Sequence, residues 1–131
     1  MACHVNQKQG EWEHFFLAEM ADCVFCNIIV GSIPAKKVYE DEHVLAFHDI
    51  HPKAKTHILV IPKQHIASLS EATENDEILL GKLLSTARII AKEQELAGYK
   101  ILMNVNREGG QVVFHLHLHI LSGGTIDLEH C

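Results

Sequence analysis

Near the end of this 131-residue chain the sequence reads Phe114-His115-Leu116-His117-Leu118-His119-Ile120. Three histidines alternate with four apolar residues without an exception. On a strand, successive side chains point to opposite faces, so His115, His117 and His119 would share one face and the apolar residues the other. A single strand histidine is ordinarily a packed, hydrogen-bonded residue; three in strict alternation ask for a further reason. The imidazole face must be partly solvated, or each ring must find a hydrogen-bond partner. Two chemistries use such a row. One is metal ligation, because His-x-His presents two nitrogens side by side. The other is nucleophilic and acid–base chemistry, because neutral imidazole is a good nucleophile and titrates near neutral pH. An affinity tag does not fit, since the motif is embedded in a hydrophobic strand ahead of the terminus.

Other residues could serve the same site. His57 heads Thr56–Pro62 (THILVIP) and could approach the imidazole face from a neighbouring strand. The segment Asn104–Gln111 contains Gly109-Gly110, which lets backbone amides come close to a ligand. Amides beside imidazoles make a phosphate-sized anion site that needs no basic patch. Cys23 and Cys26 form a C-x-x-C, which in a reducing compartment suggests a metal or redox site.

The elements that position these residues can be read from periodicity and turn residues. A short helix is expected over Val24–Val30, stopped by Gly31 and Pro34. Strands are expected at Lys37–Glu40 and Val44–His48, joined by a turn at Asp41-Glu42, and at Thr56–Ile61. The longest helix should run from about Asn75 to Leu96. Thr73 and Asp76 offer a capping box, Leu79, Leu80, Leu83, Leu84, Ala87, Ile90 and Ala91 form an apolar stripe, and Gly98 supplies a stop. Tyr99–Asn104 reads as a strand, Val105–Gly110 as a loop and Val112–Leu121 as the last strand. One long helix among antiparallel strands is an α+β domain.

Composition narrows the function. Hydrophobic residues make up 47% and charged residues 21%, enough apolar surface for one folded domain. A net charge of −6, without a block of Lys and Arg, argues against a long nucleic-acid partner. No apolar run reaches the roughly 20 residues of a membrane span, and the N-terminus lacks a secretory pattern. The expected compartment is cytoplasmic, where disulfides are rare. Residues 1–19 are polar and aperiodic and are expected to be a disordered extension, with the domain over 20–131. Met20 opens it like a second start. His43, His48 and His51 read as surface or loop residues, and His4, His14 and His130 lie in the tails.

The segment HLHLHIL fits the H-φ-H-φ-H-φ-φ signature of the histidine triad (HIT) superfamily. CVFCNIIVGSIPAKKVYEDEHVLAFHDIHPKAKTHILVIPKQHI and NVNREGGQVVFHLHLHIL resemble its Hint branch, the nucleoside phosphoramidate hydrolases, and the likeness spans about residues 20–123. The resemblance implies an α+β fold whose dimer joins two sheets into one larger sheet. It implies that His117 is a nucleophile attacking the α-phosphorus, with His119 as phosphate ligand and His57 as a fourth imidazole. His115 would orient the nucleophile through its backbone carbonyl. Asp49 and Ile50 resemble a ribose-binding pair, and Asn104, Gly110, Gln111 and Val112 a phosphate-binding segment. Val24, Phe25, Ile28 and Phe47 match an apolar slot for a purine.

The same resemblance implies a structural zinc held by Cys23, Cys26, His65 and His115, no organic cofactor and a purine mononucleotide as partner. Two departures stand out. Val112 occupies a position where the family often has a serine that assists the leaving group, and valine has no proton to give. The segment after the motif, Ser122-Gly123-Gly124, is followed by a shorter tail than usual. Rival readings are a nucleotide-binding regulatory module, a dinucleoside polyphosphate hydrolase, and a metal-binding protein using all the strand histidines. The last would leave Asp49, Asn104 and the glycine loop idle.

Overall fold

The computed structural model describes residues 22–124 and 126. The extension expected over residues 1–19, and the terminal Cys3 and Cys131, lie outside the described residues.

Helix α1 (Val24–Ile29) begins at Cys23, whose Sγ accepts a hydrogen bond from the Cys26 N–H at 3.3 Å. It stops where Gly31 turns left-handed at φ 85°, a conformation that carries no Cβ clash for glycine. Strands β1 (Lys37–Glu40) and β2 (Val44–His48) pair antiparallel. The turn between them is organised by Asp41. Its carboxylate accepts from the backbone N–H groups of His43 at 2.8 Å and Val44 at 2.9 Å, and from the Tyr39 hydroxyl at 2.8 Å. Strand β3 (Thr56–Pro62) follows, and β2 and β3 read as nearly unbroken apolar runs because both of their faces are covered.

Helix α2 (Glu77–Glu93) covers one face of the sheet. The capping box of Thr73 and Asp76 is present, but it serves a 3-10 turn at Glu74–Asp76, so the α-helix starts two residues later than the pattern suggests. Leu83, Ala87 and Ile90 pack on Val44, Ala46, Ile58 and Val60 together with Leu118 and Ile120. On the opposite face, Phe25, Cys26 and Ile28 of α1 pack on Leu45, Phe47, Leu59 and Ile61.

The end of α2 corrects the sequence expectation. Gly98 does not stop it. The Leu96 N–H donates to the Ala91 carbonyl at 2.9 Å and the Glu95 N–H to the Lys92 carbonyl at 3.1 Å, the paired bonds of a Schellman motif. The left-handed residue of that motif is Glu95, at φ 56°, where glycine is usual. Leu96 then packs against the main core, the apolar contact that accompanies such a turn.

Strands β4 (Lys100–Leu102) and β5 (Leu118–Ser122) complete a five-stranded antiparallel sheet in the order β1-β2-β3-β5-β4. Both are shorter than their periodicity suggests. The last strand starts at Leu118 rather than Val112, because the preceding residues hydrogen-bond elsewhere. Gln111 is buried and its side chain donates to the carbonyls of Ala67 at 2.7 Å and Val113 at 3.0 Å. The Leu116 N–H donates to the Ile66 carbonyl at 2.6 Å. Chain 111–116 is thus laced to segment 66–67, and the ladder to β3 begins only afterwards.

The non-glycine residue in the left-handed turn has a measurable consequence. An L-residue there is strained by about 1–2 kcal/mol, part of which glycine gives back through its freer unfolded chain. Glu95 is exposed, and its side chain has no hydrogen bond among the described residues. Glu95→Gly should therefore stabilise the fold by about 0.5–1 kcal/mol, seen as a higher urea midpoint with an unchanged slope. A lower midpoint would contradict the strain.

Candidate active site

The register sets the site's floor. Phe47 lies opposite Leu59, and Leu59 opposite His119, so these three side chains form a row across β2, β3 and β5. His57, two residues before Leu59, falls on the same face beside His119. Phe25 of α1 stands edge-on to both Phe47, with centroids 5.5 Å apart, and His117, at 5.2 Å. Together they border a cavity of about 410 Å³. Its apolar lining includes Phe25, Ile28, Ile33, Phe47 and Leu59. Its polar lining includes His57, His117, His119 and Asp49, which lie close together.

The hydrogen-bond partners assign the proton on each ring. A backbone N–H can only donate, so the Lys53 amide, 3.0 Å from His57 Nδ1, makes that nitrogen an acceptor. Neutral His57 then carries its proton on Nε2, 2.8 Å from His119 Nδ1 and 3.5 Å from the Asp49 carboxylate. His119 Nδ1 accepts, which leaves the His119 proton on Nε2. That Nε2 is buried and without a partner among the described residues. His117 takes the opposite form. Its Nδ1 is 2.7 Å from the His115 carbonyl, which can only accept, so the proton sits on Nδ1 and the lone pair on Nε2.

One imidazole with a bare nitrogen and one with an unspent N–H therefore stand together, ring centroids 5.1 Å apart. This pair suits attack on an electrophile that carries a developing negative charge. Burial favours the uncharged rings. It pushes His117 below its ordinary range against the pull of the His115 carbonyl, and pushes His57 down against the pull of Asp49. Burial also takes His119 down to about 4, with His117 and His57 adding to the effect.

His115 shares the face covered by α1 with His117 but serves a different neighbourhood on it. It is wholly buried, its ring directed at the cysteines. Its Nε2–H donates to the Pro62 carbonyl at 2.8 Å, which leaves the Nδ1 lone pair facing Cys23 Sγ at 3.3 Å and Cys26 Sγ at 3.6 Å. His65 Nδ1 lies 3.3 Å from Cys26 Sγ. All four ligand atoms are within 4.8 Å of one another. A tetrahedral zinc sets sulfur and nitrogen ligands about 3.5 Å apart, so the residues fit such an ion. The thiol of Cys23 is held far below its usual range by its hydrogen bond with Cys26, against the effect of burial, with His115 and His65 adding. A thiolate and an imidazole lone pair that face each other invite a cation between them, and the Pro62 carbonyl supplies the customary outer partner of a ligating histidine.

The remaining sequence candidates divide. Val24, Ile50, Asn104, Gly110 and Val112 all line the cavity, Ile50 and Val112 at its open side with 84% and 85% of their surface exposed. Gln111 does not: its Oε1 accepts from the Asn106 N–H at 2.8 Å, and it braces the loop from inside. Sequence reasoning missed Ile33, Leu59 and Val113 in the wall. Leu59 was within reach, because it sits two residues from His57 on one strand face. The Lys53 amide that sets the His57 proton has no signal in the sequence.

A family model for the HIT domain matches residues 30–126. An uncharacterised HIT-like protein of Synechococcus elongatus is 50% identical over 106 residues, 80% of this chain and 93% of that one. The purine nucleoside phosphoramidase of Escherichia coli is 42% identical over 104 residues, 78% of this chain and 87% of that one. Among solved structures, a HIT family hydrolase from Legionella pneumophila superposes with a TM-score of 0.78 at 44% identity, covering 84% of this chain and all of the other. No helix among the described residues is long and apolar enough to cross a membrane.

The depressed His119 ties stability to pH. Above about 6.5 the ring is neutral folded or unfolded and contributes no pH dependence. Between 6.5 and about 4 the unfolded chain takes up a proton that the folded chain refuses, so stability falls with pH by up to about 1.4 kcal/mol per unit for this ring. Urea unfolding at pH 7, 6 and 5 should show that decline, and His119→Gln should flatten it. Identical slopes would mean that the ring titrates normally.

Proposed function

The chain belongs to the HIT family, and on that premise we propose that it is a hydrolase cleaving the P–N bond of purine nucleoside phosphoramidates through a nucleotidyl-histidine intermediate. The observation that supports this most is the tautomer pair: His117 Nε2 bare, His119 Nε2–H unspent, both on residues that line one cavity. The purine enters between Phe25, Ile28 and Phe47, and the Asp49 carboxylate accepts from the ribose hydroxyls. Asn104, Gly110, Gln111 and Val112 form the segment beside the phosphate, Gln111 by bracing its backbone.

His117 Nε2 attacks the α-phosphorus, and the bond from phosphorus to the amine breaks as its electron pair leaves with the nitrogen. His119 Nε2–H donates to a phosphate oxygen as charge gathers there. The amine gains a proton from His119 or from water, because Val112 has none to offer. Water then opens the bond between phosphorus and His117, releasing the nucleoside monophosphate and restoring the bare nitrogen. The His115 carbonyl stabilises the His117 N–H as the ring becomes positive.

Cys23, Cys26, His65 and His115 would hold a zinc ion. With four protein ligands and no open position, it would supply a structural cross-link rather than an activated water. The domain spans residues 20–131, with 1–19 as an extension. Two copies join at β4, an edge strand whose outer row of backbone groups has no partner in the sheet order. The carbonyls and amides of Lys100–Leu102 would extend the sheet across the dimer. The same enzyme is expected in the cytoplasm.

His117→Ala should lower turnover of adenosine lysyl-phosphoramidate by about 10³-fold or more and leave the Kd for AMP within about threefold. Stopped kinetics and calorimetry measure the two; a variant with ordinary turnover would sink the mechanism. Protein purified without chelator should carry one zinc per chain by elemental analysis. Well under one would remove the metal from this account.

A further inference from the structure

His115 is attached to two sites at opposite ends of one residue. Its ring faces the cysteine pair, and its backbone carbonyl holds His117 Nδ1 at 2.7 Å. That bond sets which nitrogen of His117 keeps its lone pair, and it is short enough that a displacement of about 1 Å in the carbonyl would break it.

Residue 115 precedes the β5 ladder, so sheet hydrogen bonds do not fix its peptide. It is fixed by two kinds of contact. One is with segment 62–66, through the His115 ring to the Pro62 carbonyl at 2.8 Å and the Leu116 N–H to the Ile66 carbonyl at 2.6 Å. The other is with the cysteines. Segment 62–66 is itself tied to them, because His65 Nδ1 lies 3.3 Å from Cys26 Sγ. The four-residue cluster is thus the common anchor of both chains that flank the carbonyl. Cys23 caps α1 and Cys26 lies within it, and its Phe25 also stands edge-on to the rings of His115 and His117.

We infer that Cys23, Cys26 and His65 are positioning residues of the nucleophile: through His115 they hold the carbonyl that keeps His117 in its reactive tautomer. The inference rests on reading His117 as the nucleophile, and it makes the cluster part of the catalytic apparatus rather than a remote staple. Loss of the anchor frees His117 Nδ1, and the ring then divides between two tautomers. In one of them Nε2 carries the proton and has no lone pair for phosphorus. Nucleotide binding draws on the apolar slot and Asp49 rather than on the His117 tautomer, so it changes much less than turnover.

The test compares the zinc-loaded protein, the same protein stripped by chelator, and Cys26→Ser. Ala87→Gly, a destabilising change within α2 on the far face of the sheet, serves as the control. Long-range proton–nitrogen NMR reads the His117 ring directly. In the loaded protein Nδ1 should appear protonated and Nε2 bare; in the stripped protein and Cys26→Ser the two signals should converge. The kcat should fall about tenfold or more in both, with KM and the Kd for AMP within about threefold. The control should keep the loaded pattern. Unchanged His117 signals and kcat on stripping would overturn the inference. If Cys26→Ser does not fold, Cys23→Ser and the stripped protein carry the comparison, and unfolding of all three would assign the cluster a stability role alone, which also overturns it. The NMR signal needs no substrate: converging signals in a protein that turns over no phosphoramidate would uphold the coupling while removing the proposed activity.

Discussion

A buried imidazole has two nitrogens, and each has to be accounted for. That constraint orders the centre of this molecule. His57, His115, His117 and His119 are all buried, where an unpaired polar atom is costly. The Lys53 amide, the Pro62 carbonyl and the His115 carbonyl each accept or donate in one sense only, and they settle the protons on three of the rings. The fourth, His119, is settled by its neighbour His57. The consequence is two spare functions, a lone pair on His117 and an N–H on His119, on neighbouring rings of residues that line the cavity. Reactivity here is what remains after the backbone has satisfied everything else.

The scaffold makes that possible by covering both faces of its central strands. Helix α2 buries the Val44, Ala46, Ile58 and Val60 face, and α1 the Leu45, Phe47, Leu59 and Ile61 face. A sheet open to water on the imidazole side would solvate the rings and leave them close to ordinary titration. Six residues of α1 are too few for a helix to persist alone. Phe25 and Ile28 hold it by apolar burial, and the cysteines tie its start to His65 and His115. The same short element thereby walls the apolar slot and carries half of the ligand cluster.

Much of this was legible in the residues. The antiparallel α+β architecture, the Thr73–Asp76 capping box and the paired β2 and β3 follow from periodicity and turn chemistry, and the structure contains them. The convergence of His57 with His119 follows from strand alternation. What could not be read depends on tertiary hydrogen bonds. Glu95 carries no mark of a left-handed turn, and only the Leu96 bond back to Ala91 exposes it. Gln111 sits within a stretch that resembles a phosphate-binding segment, yet its side chain is spent on Ala67, Val113 and Asn106. The proton on His57 is decided by an amide four residues earlier in an irregular loop.

The opening alternation is kept in the fold, but its three histidines serve two sites. Period two puts all three motif histidines on the face that α1 covers, yet they do not share a single site. Because Gln111 and the Ile66 carbonyl draw residues 111–116 away from β3, the extended ladder starts only at Leu118. His115, outside the ladder but on the same face as His117, meets the cysteines, while His117 and His119 line the cavity. The apolar positions keep their side of the bargain: Leu116, Leu118 and Ile120 all reach the α2 core, and Phe114, farthest from the ladder, is half exposed. One seven-residue motif can therefore serve two chemistries, thiolate-rich ligation and nucleophilic attack, without either competing for the other's nitrogens. The two sites remain in contact because His115 gives its ring to one and its carbonyl to the other.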